Sequence, residues 1–177
     1  MLAEVIDTPG FRLRPFRMSD LEAVFSYASA EEYLRYLPIA LPYTRDSARD
    51  FLETQAALDR ETNASWAIEV GGEPSGGLNI RFFSGHRVAE IGYAVASPLW
   101  GRGIATAAAA RVIGAAFAEY PQLERVRATA DVRNGASIRV MEKLGMIREG
   151  LLRRNRPCRA ELTDEVIYGV LRGEWRS

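Results

Sequence analysis

The chain is poor in the residues that would make several functions easy to read. Cysteine occurs once, at Cys158, so no internal disulfide can form and no cysteine set is available for a zinc site. Histidine also occurs once, at His86, within "SGHR". A Ser-His-Asp triad or a histidine metal site would have to pass through that residue, and its setting reads as a polar turn, so no metal is expected. No stretch approaches the roughly 20 apolar residues that a bilayer-crossing helix needs. The start, "MLAEVIDTPGFRLRPF", has no basic region followed by an apolar run, so no secretory signal is expected. Net charge is missing too: 23 Lys plus Arg balance 23 Asp plus Glu, which removes any global attraction to nucleic acid or to an anionic membrane. These absences lead to the expectation of a reduced, cytoplasmic protein that needs neither a membrane nor nucleic acid as partner.

The chain does contain enough apolar material for a substantial core: 177 residues, 47% of them hydrophobic and 26% charged, most simply a single domain over residues 1–177. Periodicity and punctuation supply its order. "FRLRPF" (Phe11 to Phe16) alternates as a strand, and Ser19 with Glu22 has capping-box spacing for a helix running to about Ala30. "EEYLRYLP" reads as a helical turn ended by Pro38, and a second helix is predicted from about Asp46 to Asp59. Three strands follow, "SWAIEV" (65–70), "SGGLNIRFF" (75–83) and "VAEIGYAVA" (88–96), joined by Gly71-Gly72 and Ser84-Gly85 as antiparallel hairpins. An alanine-rich helix is predicted from about Gly103 to Glu119, then a strand from Arg125 to Val132. A short helix ends at Gly145, and two final strands flank an arginine-rich loop. A crossover helix between two strands can set them side by side in parallel. The expected fold class is therefore α/β: a mixed, mostly antiparallel sheet of about seven strands with helices on both faces.

The informative segment is "SPLWGRGIATAAAA" (Ser97 to Ala110), where two glycines bracket Arg102 just before the most helix-prone run of the chain. A helix N-terminus carries unpartnered N–H groups and a positive dipole end. Glycine lets ligand oxygens approach that backbone, and arginine adds charge-assisted bonds to phosphate. Gly103, Ile104, Ala105 and Thr106 thus have the makings of a diphosphate cradle. Ile104-Ala105 excludes a Walker P-loop, and Thr106 stands where a dinucleotide fingerprint would place Gly or Ala. On the preceding strand, alternation groups Glu90 with Val88, Gly92 and Ala94, a carboxylate on a face where small residues leave room. That combination suggests a general base beside a bound cofactor. Against it stands a tight turn with Arg102 in solvent and a glutamate on a wet sheet face.

Together, "AEIGYAVASPLWGRGIATAAA", "FRLRPFRMSDLEAVF", "YLRYLP", "NGASIRVMEKLGM" and "TDEVIYGVL" resemble the GNAT superfamily of acetyl-CoA-dependent N-acetyltransferases, in particular the branch of the ribosomal-protein alanine N-acetyltransferases. The resemblance implies a GNAT-like fold and acetyl transfer from acetyl-CoA directly to a primary amine, on a peptide or a small molecule. It implies that amides of the segment Trp100-x-x-Gly103-x-Ala105 bind the pyrophosphate, with Arg102 beside the phosphates. It implies that Ala94, Val95 and Ala96 meet the pantetheine arm, the Ala94 or Val95 amide facing the acetyl carbonyl, and that Asn134 hydrogen-bonds the pantetheine. Glu90 is then the candidate general base and Ser137 the candidate acid for the departing thiolate. Met141 occupies the place where many relatives carry a tyrosine.

The acceptor stays open at this level. Glu31, Glu32, Tyr33 and Tyr36 are expected to border its side, as is "RRNRPCR" (Arg153 to Arg159), with four arginines in seven residues. Glutamates suit a cationic amine and arginines an acidic peptide, so a protein N-terminus, an amino acid, a polyamine and an aminoglycoside all fit. The arginines could equally meet the cofactor's 3′-phosphate or RNA. The chain is expected to act as a monomer or homodimer. Cys158 is expected in a flexible loop without an activating partner. A non-catalytic acyl-CoA sensor and a nucleotide-binding protein are the competing readings.

Overall fold

Eight strands form one sheet in the order β1-β2-β3-β4-β5-β6-β8-β7 in the computed structural model, which describes residues 1–176. The strands are β1 (Ile6–Thr8), β2 (Phe11–Arg14), β3 (Asn63–Val70), β4 (Glu73–Phe83), β5 (Val88–Val95), β6 (Arg125–Asp131), β7 (Ile147–Cys158) and β8 (Glu161–Leu171). The helices are α1 (Leu21–Ala28), α2 (Glu31–Leu34), α3 (Arg45–Ala57), α4 (Ile104–Glu119) and α5 (Gly135–Lys143). Every neighbouring pair is antiparallel except β5–β6, which the α4 crossover makes parallel, as the sequence led us to expect. The eighth strand is β1, three residues too short to carry an alternation signal.

Alternation along the meander sets the two faces of the sheet. Leu78, Ile80, Ala89, Ile91, Val126, Ala128, Val166 and Val170 point to one face and form the main core with Ala108, Ala109, Val112, Ile113 and Ala116 of α4. An alanine-rich helix can lie close to a sheet because its side chains are short. Met141 brings α5 into the same core. The opposite face carries a smaller cluster of Val24, Ala48 and Leu52 from α1 and α3, with Phe16, Phe25 and Phe51 against it. Arg172, just past β8, donates to the carbonyls of Leu123 (2.7 Å) and Phe117 (2.8 Å), which closes the C-terminal end of α4.

Three local expectations are corrected. The Ser19–Glu22 capping box does not form. Asp20 instead accepts from the Arg17 amide at 2.9 Å, and Glu22 pairs with Arg45 of α3. Asp20 is drawn inward by Arg14, whose guanidinium donates to both its carboxylate oxygens at 2.8 and 2.9 Å. The arginine-rich run is mostly strand rather than loop: Arg153 to Cys158 is the second half of β7, paired with β8 from Arg156 to Cys158 after a break in register, and Arg159 lies in the turn that follows. An edge strand that is wet on both faces has no apolar alternation to announce it. Cys158 is consequently ordered and buried, its thiol 3.5 Å from the Arg35 carbonyl. His86 does occupy a turn, with φ of 65°.

Arg14 (4% exposed) bridges Asp20 (5%) and Glu69, tying the start of α1 to β3. Arg14→Met leaves two carboxylates without their cation. Breaking a buried pair from one side typically costs about 3–5 kcal/mol. For a chain of this size that corresponds to a thermal midpoint lower by roughly 6–20 °C. Calorimetry checks it, and a shift under about 2 °C would mean that the pair does not hold α1 in place.

Candidate active site

The sheet splits in its middle. β5 and β6 pair only at Val88–Arg125, Ala89–Val126 and Glu90–Arg127. Beyond Glu90, β5 continues to Val95 against β4, while β6 continues to Asp131 against β8. A wedge-shaped opening results. The Ala96 amide donates to the Ser75 carbonyl at 2.8 Å, which sets the parity of the β4–β5 ladder. Alternation then turns the backbone groups of Ala94 toward Gly77 of β4 and those of Tyr93 and Val95 toward the opening. Of the three residues expected to meet a pantetheine arm, Val95 therefore offers its amide, whereas Ala94 and Ala96 have spent theirs on β4.

The wide end of the opening meets the N-terminus of α4. Gly101 and Gly103 have φ of 77° and 76°, a left-handed turn that favours glycine, and a Cβ on either would meet nothing within 4 Å. The first intrahelical bond of α4 runs from Ala107 to Gly103, and no side chain caps the helix. The amides of Ile104, Ala105 and Thr106 are thus without helical partners and border the opening. Trp100, 52% exposed, donates its indole N–H to the Val95 carbonyl at 2.6 Å and clasps the end of β5 to the glycine turn. Arg102 is exposed and stands outside the residues that line the opening. Basic groups that do line it are Arg35, Arg133, Arg139 and Lys143, which no sequence pattern had singled out.

Two cavities meet in the opening. One, of about 450 Å³, runs from the α4 N-terminus between β5 and α5. The other, of about 500 Å³, lies on the α1–α3 side of the sheet, over Asn79, Glu90 and Gly92. Tyr33, Tyr36, Leu37, Tyr93, Ala94, Asn134 and Ser137 line both, so their junction is where two ligands would touch. Asn134 caps α5, its side-chain oxygen accepting from the Ser137 amide at 3.1 Å. Across the gap, the Tyr93 hydroxyl lies 3.1 Å from the Ser137 carbonyl and 3.2 Å from its Oγ. Burial pushes the Tyr93 phenol up to about 12, against the opposing effect of its bond to Ser137, so it stays protonated at neutral pH. Alternation assigns Tyr93 to the core face; its ring does pack there, and only the hydroxyl escapes. Met141, by contrast, is fully buried.

This arrangement gives an anion cradle, an open strand edge, hydroxyl donors at a junction and a separate second cleft. The acetyltransferase (GNAT) domain family matches residues 11–147. The chain belongs to the GNAT acetyltransferase family. Its relatives include the "Uncharacterized N-acetyltransferase YnaD" of Bacillus subtilis (strain 168), 30% identical over 96% of this chain and 98% of that one. The GNAT acetyltransferase of Bacillus anthracis superposes with a TM-score of 0.83 at 29% identity, covering 96% of this chain and 99% of that one. Mycobacterium smegmatis RimJ, solved in complex with CoA-disulfide, gives 0.83 at 29% identity over 94% of this chain and 84% of that one. As a GNAT N-acetyltransferase the protein brings two substrates together.

The second cleft has its carboxylates already engaged. Glu90, between Arg81 and Arg127 in register on the neighbouring strands, accepts from Arg127 at 2.9 Å and lies 3.7 Å from Arg81. Asp131 is buried, which raises its pKa, yet bonds from Arg133 and Thr163 outweigh that and hold it below the ordinary 3.8. Glu165 (8% exposed), which lies behind the cleft residue Arg156 and lines neither cavity, behaves alike: burial raises it, and bonds from Asn155, Thr129 and Arg156 bring it below 4.5. Arg156 is the residue of the arginine run that reaches the cleft; Glu31, expected at its border, lines neither cavity, and Glu32 lines only the first.

A depressed folded-state pKa means that the ionised Glu165 adds stability above pH 4.5, lost as pH falls through the lower folded value. Glu165→Gln is therefore expected to be less stable than the parent at pH 7, with the gap shrinking below about pH 4.5 as the parent's carboxylate protonates. Urea melts at pH 7 and pH 3.5 measure it; an equal gap at both would contradict the bonding described.

Proposed function

We propose that the protein transfers the acetyl group of acetyl-CoA to a primary amine, on a peptide N-terminus or a small molecule. The observation that carries this reading is the parting of β5 from β6, which leaves an unpaired strand edge leading from an uncapped helix N-terminus to the junction of two cavities. RimJ of Mycobacterium smegmatis was solved with coenzyme A as a disulfide, and the present residues fit such a group. The amides of Gly103, Ile104, Ala105 and Thr106 would hold the pyrophosphate, where the helix dipole adds to their attraction for anions. Arg102 would approach the phosphates from solvent, and Arg139 and Lys143 line the same groove. The Val95 amide would receive the acetyl carbonyl and stabilise its developing negative charge. Asn134 is fixed by its capping bond with its Nδ2 left over as a donor to the pantetheine arm.

When bound, acetyl-CoA supplies an activated thioester with a thiolate leaving group. The protein must then present a neutral amine, since an ammonium has no lone pair to attack with. Glu90 is the proposed base. Asp131 is buried beneath its bonds to Arg133, and Glu165 lines neither cavity, which disfavours them for the task. Glu90 lies four residues from Ala94 on an extended strand, about 13 Å at a rise near 3.3 Å per residue, so it takes the proton through water rather than by contact. The hydroxyls of Ser137 and Tyr93 lie at the junction, where they would donate to the thiolate of the leaving group.

Glu90→Gln is expected to lower kcat about 10²-fold or more near neutral pH, the usual size of a general-base contribution. Acetyl-CoA affinity should be kept, because Glu90 lines only the second cleft. Stopped assays of free thiol release, paired with calorimetric titration of acetyl-CoA, separate the two quantities. Full turnover in the variant would remove Glu90 from the mechanism.

A further inference from the structure

The floor of the second cleft carries an amide that has no hydrogen-bond partner among the described residues. Register sets three rows across β4 and β5 on this face: Gly77 opposite Ala94, Asn79 opposite Gly92, and Arg81 opposite Glu90. The first row lies under the Phe16 ring, 3.1 Å from where a Cβ on Gly77 would stand. The third row is closed by its own ion pairs. In the middle row the Asn79 side chain lies across Gly92, its Oδ1 only 2.7 Å from the position a Cβ would take there. Asn79 is half-buried and lines the cleft, and among the described residues its side chain makes no hydrogen bond.

Glycine inside a strand costs stability, so its presence at position 92 calls for a close approach. Here the approaching group is the Asn79 amide, which any side chain at 92 would displace. The amide also lies between the two groups that the reaction must connect, the junction at Ala94 and the carboxylate of Glu90. The acceptor must be held there as a neutral amine. A carboxylate in contact would favour the ammonium form, whereas an amide carbonyl accepts an N–H without binding the proton. The two carboxylates that line the cleft, Glu90 and Asp131, are both engaged by arginines.

We propose that Asn79, given its space by Gly92, positions the acceptor: its Oδ1 accepts one N–H of the incoming primary amine and orients the lone pair toward the junction. The proposal rests on the acetyl-transfer reading and names the group that meets the second substrate.

The test is steady-state kinetics with acetyl-CoA and three amine probes, an alanine-initiated tetrapeptide, spermidine and kanamycin, on the full chain and on Asn79→Ala, Gly92→Ala and the double variant. Loss of one neutral hydrogen bond predicts an acceptor KM higher by roughly 3- to 10-fold in Asn79→Ala, with the acetyl-CoA KM within about twofold of the parent. Gly92→Ala should raise the acceptor KM likewise by pushing the amide aside. In the Asn79→Ala background it should do almost nothing, because no other atom lies within 4 Å of the new Cβ. An unchanged acceptor KM in Asn79→Ala overturns the proposal, as does a Gly92→Ala effect of equal size in both backgrounds. A parent protein that binds acetyl-CoA but acetylates none of the three amines would overturn the transfer reading, and the positioning role with it.

Discussion

A strand that loses its neighbour halfway along must find other partners for its backbone, and this constraint organises the molecule. β5 is fully paired with β4, but its pairing with β6 stops at Glu90. The N–H and C=O groups of Tyr93 and Val95 then face an opening instead of a ladder, and buried backbone groups without partners are costly. Among the described residues one is answered from within, the Val95 carbonyl by the Trp100 indole. The rest of the structure holds the wedge open. α4 and its apolar core fix β5, β8 fixes β6, and the Tyr93–Ser137 contact spans the gap. The glycine turn sets an uncapped helix end at the mouth. Arg14, Asp20 and Glu69 anchor the α1 side, so the second cleft has a wall as well as a floor.

Charge is distributed with the same economy. The cofactor groove keeps several cations along its length, which suits a polyanionic ligand. The second cleft has both of its lining carboxylates, Glu90 and Asp131, engaged by arginines. Arg81 and Arg127 hold Glu90 from the adjacent strands and Arg133 holds Asp131, leaving aromatic rings and the Asn79 amide on the surface of the cleft. The contest between glutamates and arginines read from the chain is largely resolved by pairing: Arg156 binds Glu165, and Glu32 accepts from Ser97 at 2.9 Å.

Much of this was legible before any coordinates. The three-strand meander could be read because Gly71-Gly72 and Ser84-Gly85 punctuate clear alternation, and the face shared by Glu90, Gly92 and Ala94 survived because β4 and β5 pair without a bulge. The helix start at Gly103 followed from an alanine run after glycine. What stayed hidden depends on contacts between distant positions. Tyr93 and Ser137 are 44 residues apart, and alternation could only assign the tyrosine to the core. Asn79 and Gly92 each look ordinary alone; the register that stacks them is a property of the hairpin. The arginine run looked like a loop because an edge strand wet on both faces shows no period of two. The capping box at Ser19 failed for a similar reason: Asp20, held by the buried Arg14 of β2, takes the Arg17 amide instead, and Glu22 pairs with the distant Arg45.

The central claim is that the open edge of β5 and the first turn of α4 receive acetyl-CoA. Amide hydrogen exchange resolved by residue, with and without acetyl-CoA, tests it most directly. Slowed exchange at Val95 and at Gly103 to Thr106, with β4 amides unchanged, is the result expected if those N–H groups take the ligand's oxygens as partners. Unaltered exchange at these positions under saturating acetyl-CoA, or protection confined to the α1–α3 side, would contradict the account.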